Sequence, residues 1–118
     1  MATITVADGQ LEVDLSRLEE VESLHGRLRI PLAAIKEVQV VDRPLDYLGG
    51  VKLAGAGLPG TAVGTWLSPD GKTFAVEHHS SRGVVLRLEG QSYSELILGS
   101  DDPEGLAQQI HSGQGAGA

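Results

Sequence analysis

The sequence predicts a mostly-β domain, with two antiparallel sheets of seven to eight strands in all, closed by one C-terminal α-helix. Three observations carry that prediction. Short runs of alternating apolar and polar residues recur along the chain, which is the period of a half-buried strand. Glycine-containing turns separate them, and 16 of the 118 residues are glycine. Near the end, Asp101-Asp102-Pro103-Glu104 reads as a helix start.

The elements follow in order. Thr3-Ile4-Thr5-Val6 and Leu11-Glu12-Val13-Asp14-Leu15 both alternate, with Asp8-Gly9 between them. A type I′ turn needs positive φ at both central residues, so Asp-Gly is a strong hairpin signal. A two-residue loop sets Val6 opposite Leu11 and Ile4 opposite Val13, with all four on one face. Ser16-Arg17-Leu18-Glu19 fits a capping box, each side chain satisfying the other's free backbone N–H, and predicts a short helix over 17–24. Arg27 to Leu32 alternates as a strand that Pro31 ends or places at an edge. Ile35 to Val41 is the next strand. From Asp42 to Gly60 there is no clear period, and the stretch holds two prolines and five glycines. A connection this long is either a functional loop or a wide crossover between sheets.

Strands at Thr61–Leu67, 72–79, Val84–Glu89 and Tyr93–Leu98 then read as an antiparallel meander. Its turns are Ser68-Pro69-Asp70-Gly71, Ser80-Ser81-Arg82-Gly83 and Glu89-Gly90-Gln91. Setting Ser68 opposite Lys72 pairs Trp66 with Phe74, and setting Ser80 opposite Val84 pairs His78 with Leu86. In the final helix Asp102 fits the N-cap, Pro103 the first helical position, and Glu104 complements the helix dipole. Leu106, Ala107 and Ile110 form one stripe. A helix of about nine residues does not stand alone in water, so it docks over an open end of the sheets. Residues 1–112 read as a single domain and 113–118 as a disordered Gly/Ala tail.

Composition narrows the function. Nine Lys and Arg stand against sixteen Asp and Glu, a net charge of −7. Binding a phosphate backbone needs clustered cations, and here they are scattered. Nucleic acid and anionic membrane surfaces are therefore excluded as expected partners. No cysteine is present, so thiolate chemistry and disulfides are excluded. The first residues lack the basic and apolar regions of a signal peptide, and no apolar run reaches the ~20 residues of a membrane span. The expected location is cytoplasmic.

Several stretches carry a resemblance: Arg29-Ile30-Pro31-Leu32-Ala33-Ala34-Ile35-Lys36-Glu37-Val38, Gly57-Leu58-Pro59-Gly60 with Gly64-Thr65, Tyr93-Ser94-Glu95-Leu96-Ile97, and Asp101-Asp102-Pro103-Glu104. On these the chain resembles small bacterial, especially actinobacterial, pleckstrin-homology-like (PH-like) domain proteins. The resemblance implies a PH-like barrel or sandwich capped by the C-terminal helix, and relatives of this kind include some that assemble into oligomers. Eukaryotic PH domains hold phosphoinositides in a basic pocket between the first strands. Here the first hairpin carries Asp8, Glu12 and Asp14 with no basic residue before Arg17, so headgroup binding is not carried over.

Several motifs invite a chemical reading. Gly55-Ala56-Gly57-Leu58-Pro59-Gly60 matches G-x-G-x-x-G, but that fingerprint works only where a helix follows, and Thr61-Ala62-Val63 continues as strand. His78-His79 beside Glu77 looks metal-like. Neighbours on a strand point to opposite faces, however, so only Glu77 and His79 could chelate together, with no third ligand evident. An exposed polar face is the simpler reading, and no metal or cofactor is expected. In the register above, His78 shares an apolar face with Trp66, Phe74 and the small residues Gly64 and Ala62. It is either a core-edge histidine bonded to backbone or water, or the polar group of a small pocket. Leu45, Tyr47 and Leu48 either fold back on the core or form an exposed patch for a partner.

Two functions from different classes follow. The first is a non-enzymatic PH-like interaction module that binds a protein partner or itself through an open sheet edge or the 42–60 loop. The alternative is a small-molecule pocket protein, or a minor enzyme, centred on His78 and Trp66 with Gly64 and Ala62. No catalytic residues are assigned.

Overall fold

A computed structural model describes residues 3–14, 28–56, 61–78 and 82–116. The first hairpin forms as its turn chemistry dictates. Asp8 and Gly9 have φ of 54° and 74°, the positive values that a type I′ turn requires. Strands β1 (Thr3–Ala7) and β2 (Gln10–Asp14) pair Val6 with Leu11 and Ile4 with Val13, as predicted. Strand β3 (Leu28–Pro31) joins β2 and stops at the proline. These three make the first sheet, in the order β1-β2-β3. The predicted helix over 17–24 lies outside the described residues.

A 3-10 turn over Leu32–Ala34 carries the chain into the second sheet. It is tied to both layers: Leu32 N–H donates to Gly9 O at 2.9 Å, and Glu89 N–H donates to Ala34 O at 3.0 Å. The second sheet contains β4 (Ile35–Val41), β5 (Val51–Ala56), β6 (Thr61–Ser68), β7 (Gly71–His78), β8 (Gly83–Leu88) and β9 (Glu95–Gly99). The chain closes with helix α1 (Pro103–Ala116). The fold class is the predicted one, a mostly-β sandwich of two sheets with one C-terminal helix, but the sheets do not close into a barrel.

Four details differ from the sequence reading. The region from Asp42 to Gly60 contains a 3-10 turn over Pro44–Tyr47 and the strand β5, which brings the strands to nine among the described residues. The expected meander is broken, because the order in the second sheet is β4-β8-β9-β7-β6-β5. Strand β9 inserts between β8 and β7, pairing antiparallel with the first and parallel with the second. The physical reason lies in its composition. Leu96, Ile97 and Leu98 are all fully buried, and a run that is apolar on both faces satisfies its burial only in a sheet interior. Third, the β6–β7 hairpin pairs Ser68 with Gly71 and Trp66 with Thr73, one residue away from the expected register. Fourth, α1 continues through Gly113 to Ala116, four residues into the stretch read as a tail. The Gln114 amide holds it there, donating to Leu32 O at 2.9 Å and Ile35 O at 2.8 Å.

The middle of the second sheet, at β7, β8 and β9, is covered on both faces. Its inner face, with Phe74, Val76, Val84, Leu86, Leu96 and Leu98, packs on Leu11, Val13 and Ile30 of the first sheet and on Leu106 and Ile110 of α1. Its outer face carries a second cluster of Val41, Trp66, Ala75, Val85 and Ile97 under Leu45 and Leu48. No helix among the described residues is long and apolar enough to cross a membrane.

Candidate functional site

The one-residue slip in the β6–β7 hairpin decides where the expected site residues stand. Because side chains alternate, a slip of one position moves a whole set to the opposite face. In the observed register Ala62, Gly64 and Trp66 align with Glu77, Ala75 and Thr73, whereas position 78 follows the alternation of Phe74 and Val76. In that register His78 pairs with Thr61, and Ala62 with Glu77. His78 does not pair with Leu86, since β8 pairs with β4 and β9. Trp66 is buried in the outer cluster beneath Leu45 and Leu48.

The 42–48 segment folds back on the sheet. Pro44 is buried, Leu45 and Leu48 are partly buried against the outer cluster, and Tyr47 remains exposed. Glu77, read from the sequence as exposed, is 1% accessible. Its carboxylate lies over Gly99 of β9, where an added Cβ would come within 2.9 Å of both oxygens. Only the strand order, which places β9 beside β7, explains that burial. His79 lies outside the described residues. Among the described residues no group of three His, Asp or Glu side chains could hold a metal ion.

Two concave regions are built from other residues. The first is a groove between β1 and α1. One part, of about 580 Å³, lies between Val6, the Asp8-Gly9 turn and Leu32 on one side and Gln108, Ser112 and Gly113 on the other. A second part, of about 210 Å³, lies between Ile4, Ser100, Asp102 and Leu106. The two parts share Gly105 and Gln109. The helix comes close because Gly113 has no side chain, and a Cβ there would run into Leu32. The groove is lined by the apolar Ile4, Val6, Leu32 and Leu106 and by two carboxylates, Asp8 and Asp102, and among the described residues no Lys or Arg lines either part. Asp102 also caps α1, its Oδ1 accepting from Gly105 N–H at 3.1 Å.

Strand β1 forms one edge of its sheet, and nothing among the described residues pairs with its outer side. In a two-residue hairpin the residues flanking the turn, Ala7 and Gln10, form a hydrogen-bonded pair, and such pairs alternate along the ladder. Thr5 and Thr3 then direct their backbone groups at β2. The N–H and C=O of Ile4 and Val6 are aimed at the open edge. Edge strands are ordinarily blunted by charge or proline, and Thr3-Ile4-Thr5-Val6-Ala7 has neither.

The second region, of about 500 Å³, lies on the outer face between Tyr47 and a cross-strand row of Arg87, Glu95 and Thr73. Thr73 Oγ1 donates to Glu95 Oε1 at 3.3 Å, and Arg87 Nε meets Glu37 Oε2 at 3.3 Å. Burial pushes the Glu95 carboxyl above its ordinary range, the Thr73 hydrogen bond opposes that, and the charge of Asp70 adds to it. Neither region was legible in the sequence, because each joins residues from elements whose order only the fold sets.

Comparison with known proteins bears on the chain as a whole. A family model described as a bacterial PH domain matches residues 12–113. No curated protein and no solved structure matched.

Proposed function

The chain belongs to the bacterial PH domain family, and from that premise we propose that it is a non-enzymatic interaction module that takes an extended segment of another polypeptide as an added strand on β1. One observation carries the reading. A charge-free, proline-free edge strand directs the backbone groups of Ile4 and Val6 outward, beside a groove that can receive side chains. Strand addition draws affinity from main-chain hydrogen bonds and specificity from pockets for alternate side chains. The β1–α1 groove supplies such pockets, and α1 is held over it by Gln114 and Asp102. The added strand comes from a protein partner or from a second copy of the chain.

The test is to pan the full chain against a random heptapeptide display library and map selected peptides by amide hydrogen exchange. Slowed exchange at Ile4 and Val6, with Thr3 and Thr5 unchanged, is the expected result. Peptides that protect a different surface, such as the Tyr47 and Arg87 region, would move the function there.

A further inference from the structure

The charge on the groove selects among occupants. Asp8 stands at one end and Asp102 at the other, and among the described residues neither meets a Lys or Arg side chain. Arg82, which meets the first turn of α1, is already engaged by Asp42 and Glu104. A second copy of β1 brings Thr3–Ala7, which has no cation, together with its own Asp8. Like charges would then face one another across the groove, so its electrostatics disfavour self-pairing and favour a foreign segment.

Resting on the reading of β1 as a docking edge, we propose that the partner is an extended peptide segment carrying two Lys or Arg residues about four positions apart, with an apolar residue between them. One cation meets Asp8 and the other Asp102. The spacing follows from strand geometry. Ile4, in the part of the groove that holds Asp102, and Asp8 are four residues apart, which is about 13 Å along a strand at ~3.3 Å per residue. Residues i and i+4 of the added strand lie on one face, so both cations and the apolar residue at i+2 enter the groove together. The apolar side chain rests on Ile4, Val6 and Leu32.

The library selection described above also tests this proposal, through the sequences it returns. The expected result is enrichment of Lys or Arg pairs at i and i+4 around an apolar residue. A selected peptide should bind about tenfold more tightly than its Glu-for-Lys counterpart at low salt, from two pairs of modest surface strength each. That ratio should shrink toward unity at ~0.5 M salt, where the screening length is only a few ångströms.

The variants Asp8→Asn and Asp102→Asn remove the charges and keep the backbone roles, because Asn tolerates positive φ and caps helices as Asp does. Each should weaken the basic peptide severalfold and leave the thermal melt in place. Val6→Pro removes one outward N–H without touching the β1–β2 ladder, and should abolish binding of every selected peptide. Thr5→Lys, which puts a charge on the edge and needs no backbone change, is the second variant should Val6→Pro not fold.

Four outcomes overturn something definite. Enrichment of acidic or uncharged peptides that still need the β1 edge would overturn the basic partner and leave the docking edge standing. Basic peptides that bind equally well to the two Asn variants would do the same. No enrichment over blank beads, or binding untouched by both edge variants, would overturn the docking edge as well.

Discussion

Gly83 shows how little room the sheet leaves at a single residue. It begins β8 with its Cα directed at β9, and an added Cβ would press on the Leu98 carbonyl, come within 2.8 Å of Pro44 Cγ and reach 3.1 Å from Gly99 Cα. Two of those three neighbours are backbone and cannot rotate away. Gly83→Ala should therefore destabilise the fold by about 2 kcal/mol or more, the range of overpacked cores. Urea unfolding should show a lower midpoint at an unchanged slope. Trp66 reports the register in the same way. It sits in the outer cluster with Leu45 and Leu48 packed against that cluster, while Phe74 belongs to the inner core. Leu48→Ala should shift Trp66 fluorescence to the red by opening its cover to water, whereas Phe74→Leu should leave the emission in place. The opposite pattern would restore the register in which Trp66 faces Phe74.

At the scale of elements, α1 is fastened at both ends by side chains that belong to different parts of the chain. At its start, Arg82 donates to Glu104 Oε1 at 3.0 Å and to Asp42 Oδ1 at 3.2 Å, joining the helix to the segments before β8 and after β4. The Arg82 hydrogen bond holds the Glu104 carboxyl below its ordinary value of 4.5. A carboxyl lowered on folding contributes stability that is present above its unfolded value and is lost as pH falls through the folded one. Glu95 has the opposite sign. Its carboxyl is raised above 4.5, chiefly by burial, so protonation as pH falls through that raised value favours the folded state. Between about pH 6 and pH 3, Glu104→Gln should remove part of the acid-side loss of stability, and Glu95→Gln should remove a gain. Urea midpoints across that interval read both. At its other end α1 depends on Gln114, whose amide satisfies two carbonyls of the Leu32–Ile35 turn. Gln114→Ala leaves those acceptors without that donor and should cost ~1–3 kcal/mol. Faster amide exchange after Gly113 should accompany it.

For the whole molecule, the layer arrangement sets an order of local stabilities. Strands β7, β8 and β9 lie inside the second sheet and are covered on both faces, by the first sheet and α1 on one side and by the 42–48 segment on the other. Strand β1 stands at an edge with Thr3, Thr5 and Ala7 exposed. Native-state hydrogen exchange should find the slowest amides in β7, β8 and β9, opening only with global unfolding, and the fastest strand amides in β1. A docking element belongs at that low end, since its backbone groups must be available to a partner. If β1 proves as protected as β9 in the isolated chain, its edge is already occupied and the proposed docking fails.

What the sequence determined by itself is local. The Asp8-Gly9 turn, the pairing of Val6 with Leu11, the end of β3 at Pro31 and the start of α1 at Asp102-Pro103 each depend on residues within one turn of one another. Backbone dihedral preferences decide them before any packing occurs. The resemblance that pointed to a PH-like fold agrees with the family match, which spans residues 12–113. The tertiary structure decided everything that depends on which faces are covered. Alternation identifies a buried face only when the other is wet, and the middle strands of the second sheet are covered on both. The insertion of β9, the split of Trp66 from Phe74, the burial of Glu77 and the fold-back of Leu45 and Leu48 were therefore not legible in the pattern. The same holds for the groove between β1 and α1, whose walls lie about a hundred residues apart in the chain and meet only because the helix must bury Leu106 and Ile110.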